Sequence, residues 1–389
     1  MAVVNVYGDG ATSTAGANTV THHYDRAGIK AANEMNVYGQ WADRKSMPLK
    51  KGKTYKISKF LHIYDRTQAN ADFATKGYLS SRNIDDVATA LSNAALPEGA
   101  GAVNKTSIQK VTIETSFGRF GEMVDYSDEV EMFSEDSMQV HYREELGRLA
   151  NRRVEDSIQL DMLATGTVMF PSVATSEITM GAGAAADGST DNVWKISYDY
   201  LRKGVRKLVR NRAVRNTSIV TGSTKVDTRT VNKAFYAIVG PEVKFDLESQ
   251  TRGSGAETEF AYVPAYKYAA AGNLAEGEVG QMHDVKFIES ETAVVGTGKG
   301  AAIPVSYVGT LSNDGTNFDV FPILFPTKGA FATVGLKGHG KIKFNSQAPS
   351  KIELGNPYGT QGFFSYNCWY AGIILKEECL LKMNVLASA

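Results

Sequence analysis

Cysteine is almost missing from this sequence: 389 residues contain two, Cys368 and Cys379. So few exclude a disulfide framework, suit a reducing compartment and form no zinc pattern at that spacing. Both sit in apolar sequence and read as buried free thiols. Histidine is scarce too, limited to His22, His23, His62, His141, His283 and His339. None has Asp, Glu or Cys at ligand spacing, so neither a metal nor another cofactor is expected. The adjacent His22 and His23 face different ways on a helix or strand and read as surface residues. No GxxxxGKS/T loop, GxSxG elbow or HExxH helix occurs. Gly296-Thr297-Gly298-Lys299-Gly300 is glycine-rich but lacks the flanking strand and helix of a dinucleotide site, and reads as a surface loop. A fold can still gather a triad from distant residues, so a soluble enzyme stays open at this point.

Net charge is absent as well. Lys plus Arg is 42 and Asp plus Glu is 42. A dedicated nucleic-acid binder would be clearly basic. At zero net charge, self-repulsion no longer opposes association. No apolar window reaches the length of a membrane span, and the opening Met1-Ala2-Val3-Val4-Asn5-Val6-Tyr7 carries no basic flank before an apolar stretch. The expectation is a soluble chain with no membrane partner and no signal peptide. What is present is 43% hydrophobic residues, enough for a large core divided between two domains.

Residues 1 to about 45 read as an arm, because the run from Gly8 to Ala17 has little to bury. Lys53 to Phe60 alternates as a strand, with Tyr55, Ile57 and Lys59 on one face and Lys56, Ser58 and Phe60 on the other. Ile108 to Thr115 is a second strand. The forty residues between them, including Leu96-Pro97-Glu98-Gly99-Ala100-Gly101, lack a core signal and make an excursion too long for a compact domain. An arm packed on another subunit accounts for it.

Ser134, Glu135 and Asp136 then predict a capped helix start. Met138, Tyr142, Leu146, Leu149, Ala150, Val154, Ile158 and Met162 follow at helical spacing, and Gly166 is a stop. Roughly thirty residues give a rod of about 45 Å. Gly147 inside it costs about 1 kcal/mol relative to Ala, and a closely approaching neighbour would explain it. A Gly/Ala loop at 180–188 precedes a second helix with Tyr198, Leu201, Val205, Leu208 and Val209 as its apolar face. Short buried strands are expected at Ile219-Val220 and 237–240, a helix opening at Pro241, and strands at 285–288, 303–308 and 341–344. The aromatic stretch 362–375 and residues 380–385 close the chain as strands.

Charges are sorted along the sequence. Arg44, Lys45, Lys50, Lys51, Lys53, Lys56 and Lys59 contain no acid among them, whereas Glu122, Asp125, Asp128, Glu129, Glu131, Glu135 and Asp136 contain no base. They are either two solvated faces or surfaces that meet, within one subunit or across two. A third run, Arg202, Lys203, Arg206, Lys207, Arg210, Arg212 and Arg215, lies on the polar side of the second helix. It is a wet face, a contact for DNA phosphates, or a contact for acids on a neighbour.

The centre of the chain carries a family resemblance. Phe117-Gly118-Arg119-Phe120-Gly121-Glu122-Met123-Val124-Asp125-Tyr126-Ser127-Asp128 precedes the long helix, which contains Leu146-Gly147-Arg148-Leu149-Ala150 and Asp156 and ends near Leu163-Ala164-Thr165-Gly166-Thr167. Upstream stand Gly52-Lys53-Thr54 and Leu96-Pro97-Glu98-Gly99. Downstream stand Val239-Gly240-Pro241-Glu242-Val243-Lys244-Phe245-Asp246-Leu247, then Gly277-Glu278-Val279-Gly280, Val285-Lys286-Phe287-Ile288-Glu289 and Asn356-Pro357-Tyr358-Gly359-Thr360-Gln361-Gly362. This ordered set, over roughly residues 50 to 385, resembles the major capsid family of N4-like tailed phages.

The resemblance implies a non-enzymatic α+β shell protein with the HK97-like fold. Residues 1–48 would be the N-terminal arm and 49–120 an extended β-ribbon loop. Residues 121–189 would form the peripheral domain with its long spine helix, 190–330 an axial α/β domain, and 331–389 the return to the peripheral domain. Its partners would be copies of itself in hexamers and pentamers, packaged double-stranded DNA bound non-specifically, and portal, scaffold and cement proteins. Its place would be the virion, after assembly in the host cytoplasm. The loop would lie over a neighbour, bringing Lys50, Lys51, Lys53, Lys56 and Lys59 towards Glu122, Asp125, Asp128, Glu129 and Glu131. The helix cations Arg202, Lys203, Arg206, Lys207 and Arg210 would face DNA or a neighbour. A cellular nanocompartment shell is the alternative within the same fold. No covalent cross-link between subunits is expected from the sequence.

Overall fold

The structure is a computed structural model. It describes residues 37–60, 83–96, 98–99, 104, 108, 110–133, 138–220, 228–252, 259–260, 262–267, 274–338, 342–352 and 355–389. His22, His23, His62, His339, Ser134, Glu135, Asp136 and most of the expected arm lie outside the described residues.

The chain enters through a buried turn at 37–42 and then forms strand β1 (Asp43–Met47). A ribbon of β2 (Thr54–Phe60) and β3 (Lys110–Ser116) is interrupted by helix α1 (Ile84–Asn93). Strand β4 (Gly118–Ser127) runs into a short helix, α2 (Asp128–Phe133), and the long helix α3 (Met138–Leu163). After β5 (Val168–Met169) come α4 (Tyr198–Arg210), β6 (Asn216–Val220), β7 (Thr228–Val239) and α5 (Pro241–Glu248). The rest is mostly strand: β8 (Thr251–Arg252), β9 (Glu259–Phe260), β10 (Tyr262–Pro264), β11 (Glu278–Met282), β12 (Val285–Glu289), β13 (Phe321–Phe325), β14 (Phe331–Leu336), β15 (Lys343–Gln347), β16 (Gln361–Tyr370), β17 (Gly372–Ile374) and β18 (Leu381–Val385).

The largest sheet runs β10-β11-β12-β7-β13-β18-β5, with β6 on β7. It is mixed: β12 lies parallel to β7, while β13 is antiparallel to both β7 and β18. Its central strands are buried on both faces, so β12 reads as a continuous apolar stretch broken by Lys286. One face packs under α4 and α5 through Leu201, Val205, Leu208, Val243 and Leu247. The other face packs under the C-terminal half of α3 and the turn at 37–42, through Ile158, Met162, Tyr38 and Trp41. A second sheet, β15-β16-β4, lies on the N-terminal half of α3, with Tyr126, Phe364, Tyr366 and Cys368 against Leu146 and Ala150. Helix α3 thus spans both cores. Its 26 residues make about 39 Å.

Several expectations need correction. The long helix is described over the 26 residues Met138–Leu163, and its expected start at Ser134, Glu135 and Asp136 lies outside the described residues. Among the described residues, nothing outside the helix's own backbone lies within 4 Å of where a Cβ on Gly147 would stand, so no described neighbour in the chain requires the glycine. The buried side of α4 is Tyr200, Leu201, Gly204, Val205 and Leu208, whereas Val209 is half-exposed. Gly204 is the reason: a Cβ there would meet Met383 Sδ at 2.5 Å, so the helix rolls that side onto β18. Residues 237–240 are not an isolated strand but the buried end of the 12-residue β7 and its exit to α5, where Pro241 takes the first helical position as expected. Residues 303–308 form no strand. Pro304 offers no N–H, Ser306 takes a left-handed φ of 60°, and the Tyr307 N–H closes a turn onto the Pro304 carbonyl at 3.2 Å. Residues 37–47, read as the end of the arm, enter the body: Val37, Tyr38, Trp41 and Ala42 are core, and β1 pairs with β14.

Candidate assembly interface

The ribbon begins where the Phe117 N–H donates to the Lys53 carbonyl at 3.2 Å. Its register runs from Thr54 opposite Ser116 to Phe60 opposite Lys110. The expected alternation is present. Tyr55, Ile57 and Ile113 turn towards Met47, Phe117, Val334 and Ile373 in the body, while Lys56, Ser58 and Phe60 face outwards. The outer face holds the Lys56–Glu114 ion pair at 2.7 Å and the Ser58–Thr112 hydroxyl contact at 3.3 Å. Both charged groups are mostly exposed, so the pair contributes under about 1 kcal/mol. Apolar packing at the base therefore aims the ribbon.

Beyond the base, the described residues centre on α1. Helix α1 is capped by the Asn83 side chain, which accepts from the Asp85 N–H, and Asp85 and Asp86 suit its positive end. None of its residues is buried. Ile84 is 82% exposed and Leu91 64%. A ten-residue helix is marginal in water without tertiary packing. Helix α1 is the described part of the excursion between the ribbon strands, and residues 61–82 of that excursion lie outside the described residues. A second exposed apolar patch lies at Met132 (73%) and Phe133 (84%), at the end of α2.

Within one chain, the described residues show no contact between the basic and acidic runs. Lys50, Lys51 and Lys53 lie exposed in the turn before β2, with Lys50 in the left-handed region at φ 64°. Lys56 is taken by Glu114. Lys59 is half-buried and lines a cavity of about 630 Å³ under the ribbon, together with Glu114, Asp161, Glu377 and Glu378. Among the acids, Glu122 accepts from Arg153 Nε of α3 at 3.1 Å. Asp125 is exposed on the outer face of β4. Asp128 opens α2, its Oδ1 accepting from the Glu129 N–H at 2.9 Å, and Glu129 is exposed. The side chain of Glu131 lies outside the described residues. Among the described residues the contacts of these runs within one chain are thus Lys56–Glu114 and Arg153–Glu122, and neither joins the two runs. Sequence reasoning missed both Glu114 and Arg153. Glu114 stands directly across from Lys56 in the ribbon register, a signal available only once the two strands are aligned.

On α4, Arg202, Lys203, Arg206 and Arg210 are exposed. Arg202 pairs with Asp199 at 3.3 Å and lies over the Tyr198 ring. Lys207 differs. It is half-buried and its Nζ donates to the Val168 carbonyl at 3.0 Å, so it ties α4 to β5, and desolvation lowers its pKa. Its place in the surface set is therefore corrected: the tail is a tether and not part of the wet cationic face.

Among the described residues, no group of three or more His, Cys, Asp or Glu could hold a metal, and no helix is long and apolar enough to cross a membrane. Gly296 to Gly300 is a loop, as expected. Cys368 and Cys379 are buried and free. The features that stand out are instead a projecting ribbon with an uncovered helix, an apolar corner and sorted surface charge.

No family model matches the chain. The major capsid protein of Pseudomonas phage KPP21 is 27% identical over 395 residues, covering 97% of this chain and 95% of that protein. The capsid of Ralstonia phage GP4 has a TM-score of 0.56 at 11% identity, over 100% of this chain and 99% of that one. The capsid of cyanophage P-SCSP1u has a TM-score of 0.53 at 12% identity, over 95% and 94%. The mature capsid of bacteriophage PhiM1 has a TM-score of 0.52 at 13% identity, over 98% and 96%. These structures define the class: an α+β chain with the HK97-like capsid fold. The near-full-length relative, at 27% identity, is itself a phage major capsid protein.

Proposed function

We propose that copies of this chain close into the icosahedral head of a tailed phage as hexamers and pentamers around double-stranded DNA, within the N4-like capsid family. The supporting observation is α1, a helix with no buried residue on a ribbon whose base is firmly packed. A chain that keeps apolar helix residues in water gains by laying them on a second copy. Many such modest contacts add up in a closed symmetric shell.

In this reading residues 1–48 are the arm, 49–120 the extended loop, 121–189 and 331–389 the peripheral domain, and 190–330 the axial domain. Lys50, Lys51, Lys53 and Lys59 approach Glu122, Asp125, Asp128, Glu129 and Glu131 of the adjacent copy. Such complementary surfaces guide encounter and register more than they add affinity. The exposed Arg202, Lys203, Arg206 and Arg210 meet DNA phosphates or neighbouring acids. Portal, scaffold and cement proteins join the shell, which assembles in the host cytoplasm.

Negative-stain electron microscopy and size-exclusion chromatography of the purified full-length chain test the reading. Hexamers, pentamers or shells that appear as concentration rises support it. A compact monomer that persists at high concentration would sink it.

A further inference from the structure

The turn at 37–42 is held in an unusual way. Glu155 on α3 is 6% exposed. Its carboxylate accepts the Tyr38 N–H at 2.5 Å and the Gly39 N–H at 3.2 Å. Gly39 is required by that approach, since a Cβ there would stand 3.2 Å from Glu155 Oε2. One turn on, Gln159 of the same helix contacts the Tyr38 hydroxyl at 2.8 Å. Trp41 lies on Tyr236 of β7, ring centroids 4.4 Å apart. A six-residue segment thus wedges between the long helix and the large sheet.

The wedge is imperfect. Among the described residues Gln40 Oε1 and Trp41 Nε1 are buried without a hydrogen-bond partner, which weakens its hold. The charges around Glu155 do not neutralise it. Along α3 the neighbouring charge acting on it is another acid, Asp156. From the turn it faces Tyr38. From β16 it faces Tyr370, which donates to Asp161 on α3 at 2.8 Å. From the sheet, the buried pair Lys286–Glu278 satisfies itself at 2.5 Å.

We infer that residues 37–42 are a releasable latch for the chain's N-terminal segment, and that Glu155 is the positioning residue that links its closure to proton uptake. Closed, the chain is held to the body from residue 37 onward. Open, it is held from β1, which stays paired with β14. The six residues then add about 20 Å of reach. One sequence thereby offers two arm lengths, which copies in non-equivalent positions of a shell can use.

The sign follows from burial. Desolvation outweighs the backbone hydrogen bonds and raises the Glu155 pKa above its ordinary value. The closed latch therefore favours the protonated acid. Closure is strongest below the ordinary carboxylate pKa and is lost as pH rises through the raised value.

Hydrogen exchange by mass spectrometry on the full-length chain tests this, following a peptide over 37–42 from pH 5 to pH 8 after correction for intrinsic rates. A peptide over β18 reports whether the body stays folded. In the unaltered chain, protection of 37–42 falls by about threefold or more as pH rises. Glu155→Gln keeps an acceptor oxygen without a charge and holds protection level across the range. Glu155→Ala orphans both N–H groups and removes protection at every pH, with β18 still protected. If Glu155→Ala also exposes β18, the comparison of Glu155→Gln with the unaltered chain decides. A flat profile in the unaltered chain, or equal pH dependence in Glu155→Gln, overturns the inference. The measurement reads one chain's own turn, so it can fail while shells still form, and the reverse.

Discussion

Replacing Ile84 and Leu91 together by serine separates folding from assembly. Both side chains are on α1, 82% and 64% exposed, and the helix buries nothing of its own. Full burial of such a side chain is worth about 1.5–3 kcal/mol. The part still available to a partner is roughly 1–2 kcal/mol each, or about 3 kcal/mol for the pair. Each subunit offers one such helix, so the contact weakens by about 100-fold at 1.4 kcal/mol per decade. Folding should hardly respond, because exposed substitutions stay within about 0.5 kcal/mol and Ser and Ile rank together in helix propensity. Light scattering against protein concentration at fixed salt reads the first effect, and thermal unfolding of the unassembled chain the second. The expected outcome is a large rise in the assembly concentration with Tm moving by no more than a degree or two. Assembly at the unaltered concentration would refute the reasoning, because α1 would then touch no neighbour. A fall in Tm of several degrees would refute it too, by showing that the helix packs on its own body.

Other expectations test other parts of the structure. Charge reversal at Asp128 and Glu129, both clear of the intrachain pairs Lys56–Glu114 and Arg153–Glu122, should impair assembly more at low salt than at high salt; equal impairment at both would remove the proposed charge contact. Gly204→Val should lower stability by about 1–3 kcal/mol through overpacking against Met383, whereas Gly147→Ala, with open space around it, should raise the stability of the unassembled chain by up to about 1 kcal/mol. Denaturant unfolding curves compare the two. Cys379, its thiol pushed up to about 11 by burial, and the buried Cys368 should react with a thiol reagent only as fast as the chain opens, so labelling rates should track denaturant. Asp161, raised by burial, should favour the folded state while protonated and lose that contribution as pH rises through its folded pKa. Asp161→Asn should therefore flatten the stability profile just above the ordinary carboxylate range.

What the sequence made legible follows periodicity. Helix α3 shows its apolar spacing over more than six turns, and β2 alternates residue by residue, so both could be placed without coordinates. Between the ribbon strands too few apolar residues recur to bury a face, and α1, the helix described there, has no buried residue. Loops held by side chains were not legible. Residues 303–308 look like a strand, yet Asp191, more than a hundred residues away, accepts from the Tyr307 hydroxyl at 2.9 Å and from the Thr310 N–H just beyond at 2.7 Å. No local pattern encodes such a bond. The turn at 37–42 failed differently. Val37, Tyr38 and Trp41 are plainly apolar, but the glycine-rich sequence before them suggested one continuous arm. The acidic and basic runs were visible at once, and their partners were not, since Lys56–Glu114 depends on a strand register and Arg153–Glu122 on how β4 crosses α3.

The ribbon shows how one chain can be firm alone and still incomplete. Its base shares a core with the body through Tyr55, Ile57 and Ile113, so its direction is set before any neighbour arrives. Phe60 and Ile108, at the far end of that base, are both two-thirds exposed. A pre-aimed projection loses less freedom on docking than a limp one, and therefore binds more tightly for the same buried area. Yet its helix has few large apolar residues, which limits each contact to a few kcal/mol. Weak contacts allow a wrongly placed subunit to leave before a shell closes, and closure then makes leaving cooperative. A longer or more apolar α1 would trap errors, and a ribbon without its packed base would lose its aim. The combination of a rigid base and a modest tip is what a self-correcting shell requires of each copy.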